Sequence, residues 1–555
     1  MISGNGGDGI FITGSHDSPG GSNVIQGNYI GLKADGTGAV PPGASGHNNE
    51  DGIKIMYQGG NPSNTLIGGT TAAARNVISG ATENGIWDEG GIGTVVQGNY
   101  IGTNAIGSSA VPNKNGIRSG ENPIQIGGTT AGAGNVISGN TLYGVTSCSL
   151  SCSEDSALTI QGNIIGLNAD GSATLGNGES GIYSTVPAVI GGTVPGAGNL
   201  ISGNRSFGIN VLDSSTIQGN RIGVRADGVT SAGNYFPNIF VGSNQPVTIS
   251  GNIIANSIQG AGVYDAHSTV SARGNSIYGN YDLGIDILDF GVRANIPGSA
   301  LNYPVISSAL VAATNYVVNG TLNSQPNALG VLLDFYASRN CDSSGYGEGE
   351  LHLGTTVVNT SAAGVANFAG LIFPRTSERR YITATATYLG KTSEFSACYE
   401  IPYSTGATLI DTVTLPGPEG DQLARVRIVS AATGTVLYDW NVTLDASGTF
   451  IVHWIPPGTY HVWIKSPRTL SSSEVSLNLS GSVSETTVLR GGNANDDTIV
   501  NISDFSILAA AFGTVPDGGA WDARADFNRD NVVNISDFSI LAANFGQTDS
   551  TQGAP

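Results

Sequence analysis

Two stretches near the end of the chain place oxygen-bearing residues where a hard divalent cation needs them. A twelve-residue calcium loop draws ligands from positions 1, 3, 5, 7, 9 and 12, the seventh through its backbone carbonyl. The first stretch supplies Asn493, Asn495, Asp497, the Ile499 carbonyl, Asn501 and Asp504. The second supplies Asp526, Asn528, Asp530, the Val532 carbonyl, Asn534 and Asp537. Residues 501–510 recur unchanged as residues 534–543, so one unit is present twice. Two calcium ions are expected. The blander alternative is a helix pair without metal, and two complete ligand sets in order weigh against it. The first set holds two carboxylates, Asp497 and Asp504, and the second holds three, Asp526, Asp530 and Asp537. More ligand charge predicts tighter binding at the second loop. Position 6, usually glycine at positive φ, is Thr498 in one loop and Asn531 in the other, and asparagine tolerates that backbone better.

The ligand at position 12 falls at the start of a helix in each unit. Phe505, Leu508 and Phe512 share one helical face, and Phe538, Leu541 and Phe545 repeat the pattern. This predicts two short helices that bury those faces against each other. In so small a module, metal binding and folding are expected to be coupled.

The first half of the chain is repetitive. Ile-Gly-Gly-Thr begins at Ile67, Ile126 and Ile190, and Asn-Val/Leu-Ile-Ser-Gly at Asn76, Asn135 and Asn199. Gln-Gly-Asn begins at Gln26, Gln97, Gln161 and Gln218. Short β-rich pieces such as 94–97 and 158–161 sit between Gly-Asn turns, and glycine at this density opposes helix. One coil cannot bury its apolar face alone, so coils must stack. Stacking puts the recurring Ile and Val inside and lets asparagines hydrogen-bond in ladders at the turns. The fold predicted for residues 1–296 is a parallel β-helix. Met1–Asn5 matches residues 136–140 at four positions of five, so the chain is expected to begin mid-repeat, as a fragment whose leader lies elsewhere.

Longer alternating strands follow. Residues 300–402 and 404–490 each read as a β-sandwich, with strands such as 331–336, 381–388 and 424–429. Trp454, Tyr460 and Trp463 could stack on sugar rings, although alternate residues of such a strand ordinarily pack the core. The pairs Cys148/Cys152 and Cys341/Cys398 are expected to be disulfides, with metal the lesser alternative for the first pair because no histidine lies near it. A net charge of −20 with no basic stripe argues against nucleic acid. No apolar run is long enough to span a membrane.

Three resemblances follow from these residues. The Gly-Asn-Tyr-Ile-Gly, Ile-Gly-Gly-Thr and Asn-Val-Ile-Ser-Gly-Asn elements resemble right-handed parallel β-helix repeat proteins of secreted bacterial type. The strands at 300–402 resemble Ig-like domains, and 456–463 resembles the prealbumin-like or carboxypeptidase-regulatory-like domain. Residues 491–547 resemble a type I dockerin. That last resemblance implies a cohesin-like partner on a cell-surface scaffold, an extracellular setting and an association with polysaccharide. It also implies recognition through Ile502/Ser503 and Ile535/Ser536. Both serines match the family's usual hydroxyl, and both isoleucines depart from its usual small polar residue.

The expected class is therefore mostly β: a right-handed parallel β-helix, two β-sandwiches and a small α-helical calcium-binding module. The first functional reading is a non-catalytic protein that displays a glycan-facing surface and attaches through its last module. A second is a polysaccharide lyase or glycoside hydrolase, for which Asp88/Glu89, Asp213, Asp265 and Asp282/Asp286/Asp289 are candidate acids and Arg118, Arg225 and His267 candidate partners. None forms a recognised motif, and Asp282–Asp289 reads most simply as a solvated cap. A third is a structural stalk or adhesin. Carboxylates clustered along one β-helix face would favour the enzyme, and an Asn/Ser/Thr face with scattered aromatics would favour display.

Overall fold

Glycine-punctuated segments of two to five residues are too short to hold a core singly, and here they are stacked. The computed structural model describes residues 1–14, 22–41, 50–58, 60, 62–147, 156–312, 315–375, 379–401, 407–416, 422–434, 436–472, 475–516 and 521–549. The chain divides into two compact units, one of residues 1–308, 319–369 and 381–400, the other of 309–318, 370–380 and 401–555.

In the first unit, three parallel sheets run side by side through successive coils. Sheet one joins ten strands from Ile10–Thr13 to Ile285–Ile287. Sheets two and three join nine each, from Val24–Ile25 to Val270–Arg273 and from Tyr29–Ile30 to Ser276–Tyr278. Register is strict. Ile53, Ile86, Ile117, Val145, Ile182, Ile209, Ile239, Val263 and Ile285 stand one above the next in sheet one, and all are buried. Each such side chain contributes about 1.5–3 kcal/mol on burial.

Polar groups at the turns are satisfied coil to coil. The Asn76 side-chain amide donates to Asn99 Oδ1, and Asn99, Asn135, Asn163, Asn199, Asn220, Asn252 and Asn275 continue the ladder at 2.9–3.1 Å. A second ladder runs through Asn113, Asn140, Asn177, Asn204, Asn234, Asn238 and Asn280. The Ile-Gly-Gly-Thr element has a related cause. Gly127 lies at φ +81°, and a Cβ there would stand 2.0 Å from the Gln161 carbonyl oxygen of the next coil.

The last coil is covered by an antiparallel sheet of the same unit, built from Val331–Ser338, Leu351–Val358, Tyr381–Tyr388, Lys391–Thr392 and Tyr399–Glu400. Tyr336 and Phe395 complete the solenoid core. Ile277 and Gly349 exchange backbone hydrogen bonds at 2.8 and 2.9 Å, and Ala272 N–H donates to Thr392 Oγ1 at 2.9 Å. Arg273 grips Asp334 through Nε and Nη2 at 2.7 and 3.0 Å, and His352 Nε2 lies 3.0 Å from the same carboxylate. Burial alone would raise the Asp334 pKa, but hydrogen bonds from His352, Arg273 and Thr355 hold it down to about 2. Cys341 and Cys398 form the expected disulfide. Cys148 and Cys152 lie outside the described residues.

Glu348 ends the second asparagine ladder. Its Oε1 accepts the Asn280 backbone N–H at 3.0 Å and the side-chain amide at 2.7 Å, and its Oε2 accepts the Gly279 N–H. Burial pushes this carboxyl up to about 7. A raised folded pKa means stability present below the unfolded value near 4.5 and lost as pH rises through about 7. Hydrogen exchange at Asn280 is therefore expected to quicken, beyond its intrinsic pH dependence, between about pH 5 and 8. Glu348→Gln flattens that excess.

In the second unit, Thr449–Ile455, Ala407–Thr414 and Ser482–Val488 form one sheet, and Val436–Leu444, Gln422–Ser430, Gly458–Lys465 and Val475–Leu479 another. Their facing side chains form one core. Tyr460 and Trp463, considered as sugar platforms, are buried at 5% and 4% exposure. Tyr460 packs the core with Val462 and Ile464, the alternate positions of the 458–465 strand, whereas Trp463 lies on the opposite face, with the His461 ring 6.0 Å away. The Trp454 side chain lies outside the described residues.

Candidate metal loops

Each loop leads into a ten-residue helix, α1 (Ile502–Ala511) and α2 (Ile535–Asn544). Asn501 and Asn534 cap them: each Oδ1 accepts the N–H two residues on at 2.7 Å. Asp504 and Asp537, the position-12 residues, answer by accepting the cap N–H at 2.8 and 2.9 Å. Their other oxygens reach back across the loops, Asp504 to Asn495 N–H and Asp537 to Phe527 and Asn528 N–H. Both carboxylates are wholly buried, so they organise loop and helix together.

The two units interlock reciprocally. Gly513, after α1, donates to the Val533 carbonyl of the second loop at 2.8 Å, and Gly546, after α2, donates to the Val500 carbonyl of the first at the same distance. Leu508 and Leu541 are buried, and the Phe505 and Phe538 rings meet edge to face at 6.3 Å. The expected face extends less far. Phe512 and Phe545 are about half exposed, because both cap residues have left helical geometry at ψ 132° and 130°. Ala494, Val500, Ala525, Phe527, Val533 and, from the preceding sandwich, Leu470 fill the core instead.

Positive φ falls at position 4 of both loops, Asp496 (+59°) and Arg529 (+60°), and at position 6 only in the second, Asn531 (+65°). Thr498 avoids it, as a β-branched residue should. Arginines fasten the second loop to the sandwich. Arg468 donates to the carbonyls of Ala523 and Asp526, and Arg529 to Ser466 Oγ and the Pro467 carbonyl. Lys465 pairs with Asp496 of the first loop at 3.2 Å.

The position-1 oxygens decide whether these residues suit a cation. Asn493 Oδ1 and Asp526 Oδ1 are buried without a hydrogen-bond partner, and buried polar atoms are rarely left so. Burial and the neighbouring Asp537 carboxylate push the Asp526 pKa up. An all-oxygen donor set with orphaned oxygens at equivalent places fits a hard cation. Among the described residues, no three Asp, Glu, His or Cys side chains already stand together as a metal site. Asp497 and Asp530 are turned to their own loops, each accepting the N–H two residues on at 2.8 Å and an asparagine amide from position 3.

The candidate catalytic residues do not converge. Asp88 accepts the Gly91 N–H at 2.7 Å, and burial pushes it up to about 6. Asp265 accepts N–H groups from His267, Thr269 and Val270 at a turn. The Arg118 guanidinium lies 5.1 Å from the Trp87 ring centroid. His267 is exposed, and Asp213 accepts the Ser214 N–H. Asp282 and Asp289 are exposed, but Asp286 is buried and so is not part of a solvated cap. The outward row of sheet one reads Phe11, Lys54, Trp87, Arg118, Thr146, Tyr183, Asn210, Phe240, Tyr264 and Asp286. Two of its aromatics stack, Phe240 on Tyr264 at 5.5 Å, and Phe290, beyond the last strand, stacks on Tyr264 at 5.0 Å.

No protein-family model matches the chain, and no curated protein matches it in sequence. Among solved structures, the chain is similar to a type II cohesin–X–dockerin complex from Acetivibrio cellulolyticus, with 20% identity over 26% of this chain and 98% of that one and a TM-score of 0.22. It is also similar to the minor pilin GBS52 of Streptococcus agalactiae, with 13% identity, coverage of 30% and 84% and a TM-score of 0.13. A third likeness is to the major pilin subunit of Bacillus cereus, with 10% identity, coverage of 34% and 69% and a TM-score of 0.15. Scores this low carry no functional inference. No helix among the described residues is long and apolar enough to cross a membrane.

Proposed function

We propose that this is an extracellular calcium-dependent attachment protein. In this reading a right-handed β-helix, followed by Ig-like and prealbumin-like sandwiches, displays a surface to polysaccharide. The last module is of dockerin type, holds two calcium ions and docks on a cohesin-like partner borne by a scaffold or cell surface. The observation that carries the reading is the pair of orphaned, buried oxygens at position 1 of two loops with the same hydrogen-bond pattern. Asn495, Asp497, the Ile499 carbonyl, Asn501 and Asp504 would complete the first shell, and Asn528, Asp530, the Val532 carbonyl, Asn534 and Asp537 the second. Ile502 and Ile535, each 64% exposed, give a partner two apolar anchors beside Ser503 and Ser536. An enzyme on sheet one is disfavoured, because Asp286 is the one carboxylate in its outward row.

Calorimetry on the whole chain tests the reading. An Asp504→Ala/Asp537→Ala variant is expected to bind two fewer calcium ions than the native chain. Of the single variants, Asp537→Ala is expected to lose the tighter ion, because the second loop holds more charge. Equal calcium uptake by the native chain and the double variant overturns the proposal.

A further inference from the structure

Asp286 is the outward residue of the last strand of sheet one, Ile285–Ile287, and it is 1% exposed. Its Oδ1 has no hydrogen-bond partner, and its Oδ2 has the Gly291 N–H at a marginal 3.4 Å. The other buried carboxylates of this unit are better served: Glu348 accepts three donors, Asp265 three, and Asp334 a guanidinium. Asp286 instead meets like charge. Asp282 and Asp289 act on it, and it acts on Glu394, whose own carboxylate accepts N–H groups of Ile287 and Arg293. The one guanidinium nearby, Arg293, reaches Asp289 at 3.5 Å. A carboxylate this buried and this poorly served is costly unless something neutralises it.

Beside it lies a cavity of about 380 Å³, lined by Asp282, Asp286, Asp342, Ser343 and Ser344, with Tyr281 and Phe290 also on its wall. We infer that this cavity is a divalent-cation site, with Asp286 as its buried anchor and calcium as the chemistry it suits. The side-chain donors on its wall are all oxygen: the Asp282, Asp286 and Asp342 carboxylates, which do not already stand together as a metal cluster, and the Ser343 and Ser344 hydroxyls, the donor set a hard cation rather than zinc would draw together. The unpartnered Oδ1 beside this oxygen-lined cavity is the geometric feature that an ion would answer. The site is independent of the loops at 493–504 and 526–537.

Terbium, a luminescent calcium substitute, separates the two sites. In the full chain carrying Asp504→Ala/Asp537→Ala, terbium at neutral pH is expected to bind once, with emission sensitised by Tyr264, which pairs with Asp286 in register, and by Tyr281. Adding Asp286→Asn is expected to abolish that emission, and adding the exposed Asp282→Asn to weaken binding roughly tenfold or more. Circular dichroism checks that each variant is folded. In the native background, Asp286→Asn is expected to keep both loop ions. Failure of the loop-disabled chain to bind terbium overturns the inference, as does emission unchanged by both Asp286→Asn and Asp282→Asn. An ion at Asp286 with none in the loops would sink the dockerin reading and leave this one standing.

Discussion

Asn163→Ala is expected to destabilise the solenoid by about 2–6 kcal/mol, because four buried coil-to-coil hydrogen bonds are lost at about 0.5–1.5 kcal/mol each. Asn163 Oδ1 accepts the Asn135 backbone N–H at 3.0 Å and the Asn135 side-chain amide at 2.9 Å. Its own amide donates to the Ile126 carbonyl and to Asn199 Oδ1, both at 3.0 Å. Alanine leaves the Asn135 backbone N–H without its acceptor, while Asn199 Oδ1 keeps the residue-163 N–H and the Asn135 amide keeps the Val96 carbonyl. Asn168→Ala is the control. That side chain lies in an exposed turn and bonds Ser172, so its loss is expected to stay within about 0.5 kcal/mol. Denaturant midpoints compare the two, and equal midpoints would show that the ladder is ornamental.

Asp537→Ala is expected to unfold α2 at calcium concentrations that hold the native module folded. Three N–H groups, of Phe527, Asn528 and Asn534, lose their acceptor. The helix loses its capping partner, worth about 1 kcal/mol, and the loop loses its closing ligand. Together these remove roughly 3–5 kcal/mol before any metal is counted. Metal adds its binding energy to folding, so chelator is expected to lower the native melting temperature by more than that of the variant, which keeps only the first-loop ion. Helical circular dichroism of the full chain, with and without chelator, reads both. A native module indifferent to chelator would separate folding from metal.

Much of this architecture was legible in the sequence for a specific reason. The solenoid is built from local repeats, so Asn76, Asn135 and Asn199 announce a ladder, and the Gly-Gly of Ile126–Thr129 marks a close approach between coils. The duplicated loop–helix units were legible because the repeat of residues 501–510 at 534–543 is itself a linear pattern. What failed depended on distant packing. Phe512 and Phe545 continue the helical period, yet the chain turns away one residue earlier to reach the opposite loop. Tyr460 resembles a surface aromatic until the partner sheet covers it. Asp286 reads as solvated because nothing nearby in sequence reveals the sheet of residues 331–400 that closes over it. Glu348 was missed as the end of a ladder because its partner lies 68 residues away.

The lid that Tyr336, Gly349 and Thr392 form over the last coil also governs how the molecule behaves toward copies of itself. Three parallel strands would otherwise finish there with unpaired backbone groups, and a bare strand edge is a template for another chain. Losing that lid as a whole, which the Arg273–Asp334 pair, the Ile277–Gly349 exchange and the buried Tyr336 and Phe395 together hold, would free that template. A chain so altered would concatenate into fibres as its concentration rose, and the covered end is what keeps a stack of near-identical rungs finite.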